Sequence, residues 1–321
     1  MTDLTSLFVA GVPIGGGGTR ATFGQSYFVD VERGSDNFDG LSLQINGGSG
    51  PFATYAAAED AVTSGNHDYI YLTGEGAHTI TTTIAFDKSR VHTVGLPVAG
   101  RLLGQRTRFE MGAAATGTGV AIILNTGVGN TWENIKFRST DDQANSLYAF
   151  ADGGEFTEMN FCSFEKDEDL DQTGAAEFLC NADTPIYRNC SFGNLIYTVS
   201  VARQNVLFTR VTISGKVARD VHFENCLFLG KTSDTGFVNC RATGSDIERM
   251  ALWDNCKFIS AKTSSVTQLL SFGIASDLTD AEILLHGCSQ VNITDVAASG
   301  RGVFTTSPIP NVEGTEAIEV T

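Results

Sequence analysis

The sequence Asn189-Cys190-Ser191-Phe192 returns as Asn225-Cys226-Leu227-Phe228 and again as Asn255-Cys256-Lys257-Phe258. Variants in which one or two positions change stand at 134–137, 161–164 and 287–290. From one phrase to the next, the aligned Phe residues are 27 to 36 positions apart. A repeat of that length is typical of proteins built from stacked units, each of which packs only on its neighbours. The phrase therefore predicts a stacked architecture.

The segments between the phrases predict short strands. Apolar runs such as 69–72 and 120–124 alternate with Gly, Asn, Asp and Thr. A repeat of about 30 residues accommodates three strands and three bends, so we predict an all-β stack of coils whose strands pair in parallel. Cys and Phe of the phrase lie two positions apart and point the same way, so we expect both to form interior columns. We expect the Asn of the phrase to form a column at a bend, where the amides of successive coils can bond one another: Asn134, Asn189, Asn225 and Asn255.

Residues 27–62 predict an entry cap for this stack. Residues 27–31 predict a first strand, and the glycines and short polar side chains of 34–40 are typical of turns. The alanine-rich segment 51–62 is the best helix candidate of the chain, and Thr54 can cap it. The residues expected to face the core are Phe52, Ala57, Ala61 and Val62.

The two ends of the chain differ from this body. Four glycines follow Gly11-Val12-Pro13-Ile14, which indicates an arm that forms neither a helix nor a regular strand. The last residues contain prolines, which stop regular strand pairing, and several glutamates. We therefore divide the chain into a Gly-rich extended arm (1–26), a capped β-coil (27–300) and an extended acidic tail (301–321).

Composition argues against several classes of function. The 321 residues carry a net charge of −16, and an acidic surface repels phosphate, so we expect no nucleic-acid partner. The sequence has no run of 18 apolar residues and no basic leader, so we expect no membrane association and synthesis in the cytoplasm. The seven cysteines form no Cys-x-x-Cys pair, which favours buried free thiols over zinc ligands or disulfides. No phosphate loop or metal-ligand spacing is present, and we expect no cofactor.

The cap resembles the entry of pectate-lyase-like right-handed parallel β-helix proteins. Such proteins often combine a first strand, a Gly-Ser-Asp-x-x-Asp-Gly turn, a Pro-Phe-x-Thr segment and an alanine-rich capping helix. Here the turn is 34–40 and the segment is Pro51-Phe52-Ala53-Thr54. The Asn-Cys-x-Phe phrases are similar to the coil motif of that family. The resemblance covers about residues 27–300 and implies a single-stranded right-handed parallel β-helix, without fixing a function.

A narrower resemblance concerns the ends of the chain. The opening 11–18 and the ending 291–297 are similar to segments of β-helix virion proteins of tailed bacteriophages, which are associated with the capsid. This resemblance implies a structural protein on the virion's capsid surface, made in the host cytoplasm. We expect it to decorate or cement the capsid as a homotrimer, with the major capsid protein as its partner.

Stacked acidic residues are the candidates for catalysis, because many relatives of this fold cleave polysaccharides. Four residues before each aligned Phe, or its equivalent, stand Glu133, Asn160, Arg188, Glu224, Asp254 and His286. On adjacent coils, Glu224 and Asp254 lie about 4.8 Å apart, close to the separation of about 5–5.5 Å in retaining glycosidases. The column also adjoins a bend, where charges are solvated and Arg188 can pair with Glu224. Both readings stay open, and we assign no catalytic residue.

The densest acidic run is a candidate for calcium. Asp167, Asp169 and Asp171 have the alternate spacing of a calcium loop. Gln172 replaces the glycine of the sharp turn, and Phe178 replaces the closing glutamate. The run therefore favours a solvated loop, with weak calcium binding as the alternative.

Two alternatives to the structural role remain. A tail-associated polysaccharide-degrading enzyme predicts a cleft with clustered acids and exposed aromatic side chains. A noncatalytic glycan-binding module predicts that Trp132 or Trp253 is exposed, since both precede the Asn of a phrase and exposed rings stack on sugars. Packing in the core is the commoner place for Trp.

Overall fold

The computed structural model of the protein describes residues 7–9, 12–14, 24–73, 76–96, 107–111, 121–139, 147–166, 176–193, 204–208, 217–230, 236–240, 247–260, 266–272, 281–297 and 303–305. The regular elements of these residues are 28 short strands and a single short helix. The acidic run with Asp167, Asp169 and Asp171 lies outside the described residues. The prediction of weak calcium binding therefore stays a prediction.

Three parallel sheets, here called sheets 1, 2 and 3, form the sides of a coil. Among the described residues, sheet 1 consists of Ser26–Asp30, Tyr69–Thr73, His92–Gly95, Thr131–Glu133, Glu158–Asn160, Ile186–Arg188, Ala218–Glu224, Ile247–Asp254, Ala281–His286 and Val303–Thr305. Sheet 2 consists of Ala77–Ile80, Arg108–Met111, Lys136–Ser139, Ser163–Lys166, Ser191–Phe192, Leu227–Gly230, Lys257–Ser260 and Ser289–Val291. Sheet 3 consists of Ile84–Phe86, Ala121–Asn125, Tyr148–Asp152, Ala176–Cys180, Gln204–Phe208, Gly236–Cys240, Val266–Phe272 and Ile293–Ala297.

From Tyr69–Thr73 onward, the described strands follow the order sheet 1, sheet 2, sheet 3, so each coil contributes one strand to each sheet. Every strand of a sheet pairs in parallel with strands one coil away, as Ser163–Lys166 does with Lys136–Ser139. This arrangement confirms the predicted right-handed parallel β-helix with three strands per coil. The long step from Phe192 to Phe228 is one coil, because it contains one strand of sheet 3 and one of sheet 1.

The Phe of the phrase forms a continuous interior column in sheet 2. Paired residues along it are Phe109, Phe137, Phe164, Phe192, Phe228 and Phe258. Centroids of successive rings lie 4.6 to 5.4 Å apart, with interplanar angles of 4° to 17°. His78 precedes this column and Gln290 follows it. Burying each ring stabilises the stack by about 1.5–3 kcal/mol, which explains why the sequence repeats Phe.

The Cys of the phrase is the second residue of a two-residue bend between sheets 1 and 2. The six cysteines whose side chains the structure describes are buried and free, as predicted. The Cys226 thiol donates to the Tyr187 carbonyl of the preceding coil at 3.2 Å, and Cys288 donates to the Trp253 carbonyl at 3.3 Å. The thiol therefore fills a small apolar site and also satisfies a backbone acceptor.

The Asn of the phrase is the first residue of the same bend, and its backbone is left-handed. The four φ angles lie between 53° and 60°, a region that Asn tolerates better than most side chains: Asn134, Asn189, Asn225 and Asn255. Asn255 Nδ2 donates to Asn225 Oδ1 at 2.6 Å, as expected for an amide column. Asn189 donates instead to the Asn160 side chain and Asn134 to the Gly95 carbonyl. Backbone conformation therefore explains the repeated Asn better than an amide column does.

The entry cap combines the turn and the helix into one structure. Helix Tyr55–Ala61 begins after Thr54, whose hydroxyl accepts from the Ala57 amide at 3.2 Å. Asp36 Oδ1 accepts from the amides of Ala53 and Thr54, both at 2.9 Å. The turn therefore holds the start of the predicted helix, and Phe52 and Val62 face the core as expected.

Two expectations about the ends need correction. Leu7–Val9 pairs with Val12–Ile14 as an antiparallel hairpin, so the expectation of no regular strand in the arm is wrong for Val12–Ile14. A two-stranded ribbon has only edge strands, where Pro13 is tolerated. Val303–Thr305 belongs to sheet 1 and pairs with Ala281–His286, because it precedes both prolines of the tail. The division into arm, body and tail otherwise stays a prediction.

Candidate functional site

The outer face of sheet 1 holds the column of charges selected from the sequence. Strand pairing places its members next to one another in the expected order: Glu133, Asn160, Arg188, Glu224, Asp254 and His286. We call these six residues the charged column. The residue before each member points inward, as Tyr187 and Trp253 do. The alternation of side chains on each strand therefore directs the charged column outward.

The two candidate catalytic carboxylates both have partners. Arg188 Nε donates to Glu224 Oε2 at 2.8 Å, which confirms the pair expected from the sequence. Arg188 Nη1 also donates to Glu158 Oε1 at 2.6 Å. His286 Nδ1 lies 2.6 Å from Asp254 Oδ1. Glu224 and Asp254 are thus neighbours in the column that bond different partners, with side chains 33% and 37% exposed.

A second group of ion pairs lies at the bend between sheets 3 and 1. Arg219 Nη1 lies 2.7 Å from Asp183 Oδ2, and Arg219 Nη2 lies 2.5 Å from Glu248 Oε2. The hydrogen bond to Glu248, together with the charge of Asp183, raises the pKa of Arg219. Arg188 and Arg219 each bridge two acids of neighbouring coils, so acids outnumber arginines in both groups. Ladders of this kind stabilise a sheet without any catalytic role.

His222 is the titratable neighbour of the charged column. It stands two residues before Glu224 on the same strand, and therefore on the same outer face. Burial lowers the pKa of His222, against the opposing charges of Glu224 and Asp254. A neutral imidazole beside two carboxylates could accept a proton, so proton transfer is the chemistry this face could support.

The two tryptophans lie inside the coil. Trp132 is 1% exposed and Trp253 is 0% exposed. Trp132 packs edge-on against Phe137 and Phe150, and Trp253 stacks on Phe223. The expected core packing is confirmed, and neither ring is available to a sugar.

A buried polar cluster around Asp152 was not predicted from the sequence. Asp152 is fully buried and accepts from Asn125 Nδ2 at 2.8 Å, Thr157 Oγ1 at 3.1 Å and Tyr187 Oη at 2.7 Å. Burial raises the pKa of Asp152, and these hydrogen bonds oppose the shift. The cluster ties sheet 3 to sheet 1 and is closed to solvent. Its role is structural.

The exposure of two aromatic rings was also not predicted from the sequence. Phe156 and Phe161 are 61% and 45% exposed, and both have left-handed backbones. One signal was available in the sequence, because Phe161 occupies the Asn position of the phrase.

Within the part of the chain that the structure describes, no three metal-ligating side chains cluster. The helix that is described there is too short and too polar to cross a membrane.

Comparisons with known proteins bear on the fold. No family model matches the chain, and no curated protein matches its sequence. The pectin methylesterase of Aspergillus niger superposes with a TM-score of 0.51 at 14% identity, over 91% of this chain and 84% of that one. The pectate lyase Pel9A gives a TM-score of 0.53 at 12% identity, over 92% and 81%. The fold is that of the pectate-lyase-like β-helix.

A phage protein is also among the structural neighbours. The ORF18 protein of Geobacillus virus E2 matches with a TM-score of 0.42 at 13% identity, over 76% of this chain and 50% of that one. Similarity at this level carries no argument about fold, function or location. The remaining neighbours include further pectin methylesterases and a rhamnogalacturonan lyase.

Proposed function

We propose that this β-helix is a structural, noncatalytic component of a tailed-phage virion. It decorates or cements the capsid as a homotrimer bound to the major capsid protein. The observation that carries the noncatalytic part is the pairing of the charged column, in which Glu224 bonds the Arg188 guanidinium and Asp254 bonds the His286 imidazole. The virion part rests on the resemblance of segments 11–18 and 291–297 to phage virion proteins.

The interior suits a mechanical role. The column of stacked Phe rings and the inward thiols continue from coil to coil and need no bound group. A stack of this kind is a rigid prism, because each coil is fixed by backbone hydrogen bonds to both neighbours. The glycine-rich arm and the acidic tail are the segments that would bind neighbouring subunits, and the acidic surface would meet basic patches on the shell.

Quantitative mass spectrometry of purified source virions tests this proposal. We expect the protein to copurify with the particles at a copy number comparable to that of the shell protein. A handful of copies per particle would place it on the tail, and its absence from washed particles would refute the virion role.

Polysaccharide cleavage is the second candidate, because two pectin-active enzymes share the fold at TM-scores of 0.51 and 0.53. Within the part of the chain that the structure describes, Glu224 and Asp254 of the charged column are the acids that the sequence selected for this chemistry. The test compares the wild type with Glu224→Gln and Asp254→Asn on polygalacturonate, on methylated pectin and on polysaccharide of the source host. Glu110→Gln serves as a matched control, since Glu110 pairs with Arg138 on sheet 2. We expect no cleavage by any of the proteins. Cleavage that is lost only in the sheet 1 variants would establish the enzyme.

A further inference from the structure

The loop 41–50 of the entry cap carries the single Asn-Gly pair of the chain, Asn46-Gly47. Asn46 and Ser49 form an isolated antiparallel bridge, closed by backbone hydrogen bonds of 2.9 and 3.1 Å. Gly47 and Gly48 are the two central residues of this turn, and Gly47 has a left-handed φ of 63°. A two-residue hairpin turn favours glycine at such a position, because a side chain disfavours the positive φ. The turn therefore requires the glycine that follows Asn46.

The Gly47 nitrogen is open to reaction with the Asn46 side chain. Asn46 is exposed, and a methyl group added to Gly47 or Gly48 would meet no other atom within 4 Å. Among the residues that the structure describes, the Gly47 amide has no acceptor and the Asn46 carboxamide has no hydrogen-bond partner. A nucleophilic nitrogen and an electrophilic carbon are therefore adjacent in the chain, and neither is shielded.

Two aspartates are also followed by glycine, and the fold shields both pairs, Asp39-Gly40 and Asp152-Gly153. The glycine amide of the first pair donates to the Gly50 carbonyl at 2.9 Å. That of the second pair donates to the Asn125 carbonyl at 2.8 Å, and its aspartate is fully buried. Each amide would have to leave its hydrogen bond before its nitrogen reached the preceding side chain, which costs free energy. The pair at the tip of the loop has no such restraint.

The conformational change that the reaction needs is local. The two bonds between Asn46 and Ser49 are the backbone hydrogen bonds that hold the described loop 41–48 at its tip. An exposed turn closed by two hydrogen bonds opens without disturbing the rest of the fold. Once it opens, Asn46 can rotate and bring its Cγ atom over the Gly47 nitrogen.

We propose that Asn46 is a site of spontaneous deamidation, which converts the turn into a mixture of aspartate and isoaspartate. The Gly47 nitrogen loses its proton and attacks Asn46 Cγ. A bond from this nitrogen to Cγ forms, the bond from Cγ to Nδ2 breaks, and ammonia leaves with the proton. One water molecule then opens the cyclic imide. Opening at Cγ gives aspartate, and opening at the backbone carbonyl carbon of Asn46 gives isoaspartate.

Both products change the entry cap. Each adds one negative charge to a chain whose net charge is −16. Isoaspartate also inserts a methylene into the backbone before Gly47, so the bridge to Ser49 cannot keep both of its hydrogen bonds. Leu43 of the same loop packs on the apolar cluster that contains Phe28 and Tyr71, on the outer side of sheet 1. We therefore expect the modification to loosen this loop and to leave the charged column unchanged.

Ageing of the full-length protein tests the site. The protein is incubated at pH 8 and 37 °C, once folded and once unfolded in guanidinium chloride. Peptide mass spectrometry then follows aspartate and isoaspartate at positions 39, 46 and 152. Comparing folded and unfolded rates at the same position removes the intrinsic difference between asparagine and aspartate. Asn46→Gln is the matched control, because glutamine keeps the amide but closes the larger ring far more slowly.

We expect Asn46 to react in the folded protein at a rate within about threefold of the unfolded rate. Asp39 and Asp152 should isomerise about tenfold or more slowly in the folded protein than in the unfolded chain. Hydrogen exchange in the loop 41–50 should be faster in aged wild type than in aged Asn46→Gln. A folded rate at Asn46 as strongly reduced as that at Asp152 would overturn the site. Aspartate without isoaspartate would also overturn it, since direct hydrolysis does not involve the Gly47 nitrogen.

Discussion

His78 offers a quantitative test of the interior column. It occupies the position before Phe109 in the Phe column, is 2% exposed, and its ring centroid lies 5.5 Å from that of Phe109. Burial lowers the pKa of His78 from 6.5 to about 4, although the charge of Asp30 opposes the shift. Between about pH 4 and pH 6.5, the His78 imidazole is therefore neutral in the folded protein but protonated in the unfolded chain. The perturbation is His78→Phe, which continues the column with the residue used by the following coils.

The direction in which stability changes with pH follows from the linkage between proton binding and folding. Because the folded pKa lies below the unfolded value, the contribution of His78 is fully present above pH 6.5 and is lost as the pH falls toward about 4. From these two pKa values, the wild type loses about 2 kcal/mol between pH 7.5 and pH 5 relative to a variant without the titrating group. Below the folded pKa the difference approaches about 3 kcal/mol.

Urea unfolding at pH 7.5, 6 and 5 measures this difference, with the buried Trp132 and Trp253 as fluorescence probes. The stability of the wild type should fall faster with acid than that of His78→Phe. His78→Gln is the control, since it keeps a polar side chain but does not titrate, and it should share the flatter pH profile. Parallel profiles for the three proteins would refute the claim that a neutral, buried His78 is part of the folded state.

Three further outcomes are expected. Asn225→Ala should cost about 1 kcal/mol of unfolding free energy, because φ at this bend is 54°. Asn225→Gly should be nearly neutral, since glycine adopts this φ at no steric cost. Equal losses for the two variants in urea unfolding would contradict the left-handed bend. Asp152→Asn should cost about 1–3 kcal/mol, since the amide NH2 would replace a carboxylate oxygen that now accepts, either Oδ1 from Asn125 Nδ2 or Oδ2 from Tyr187 Oη. Thermal melting checks this loss, and an unchanged midpoint would argue against the buried cluster. Six buried thiols should resist a thiol reagent in the native protein: Cys162, Cys180, Cys190, Cys226, Cys256 and Cys288. In denaturant, all seven cysteines should react.

Much of the fold was predictable because one phrase repeats. Its period predicted the coil, and the two-residue spacing of Cys190 and Phe192 predicted that both point inward. Aligning the phrases also predicted the order of the charged column, including the pair of Arg188 with Glu224. Register in a stacked coil is set by the repeat itself, so an alignment of phrases carries three-dimensional information.

The rest of the site depends on contacts that the phrase does not encode. Glu158 became the second partner of Arg188 because it lies one coil earlier on the outer face, two residues before the aligned position. Asp152 is buried by side chains from three coils, which no local pattern shows. The exposure of Phe156 could not be predicted from the sequence, because it depends on a left-handed bend that the phrase does not include.

A high-resolution cryo-electron map of the source particle tests the central claim most directly. The account predicts density for this β-helix as trimers on the icosahedral shell, with residues 1–26 in contact with neighbouring subunits. Density at the tail alone, or a complete particle without this chain, would contradict the structural role on the capsid.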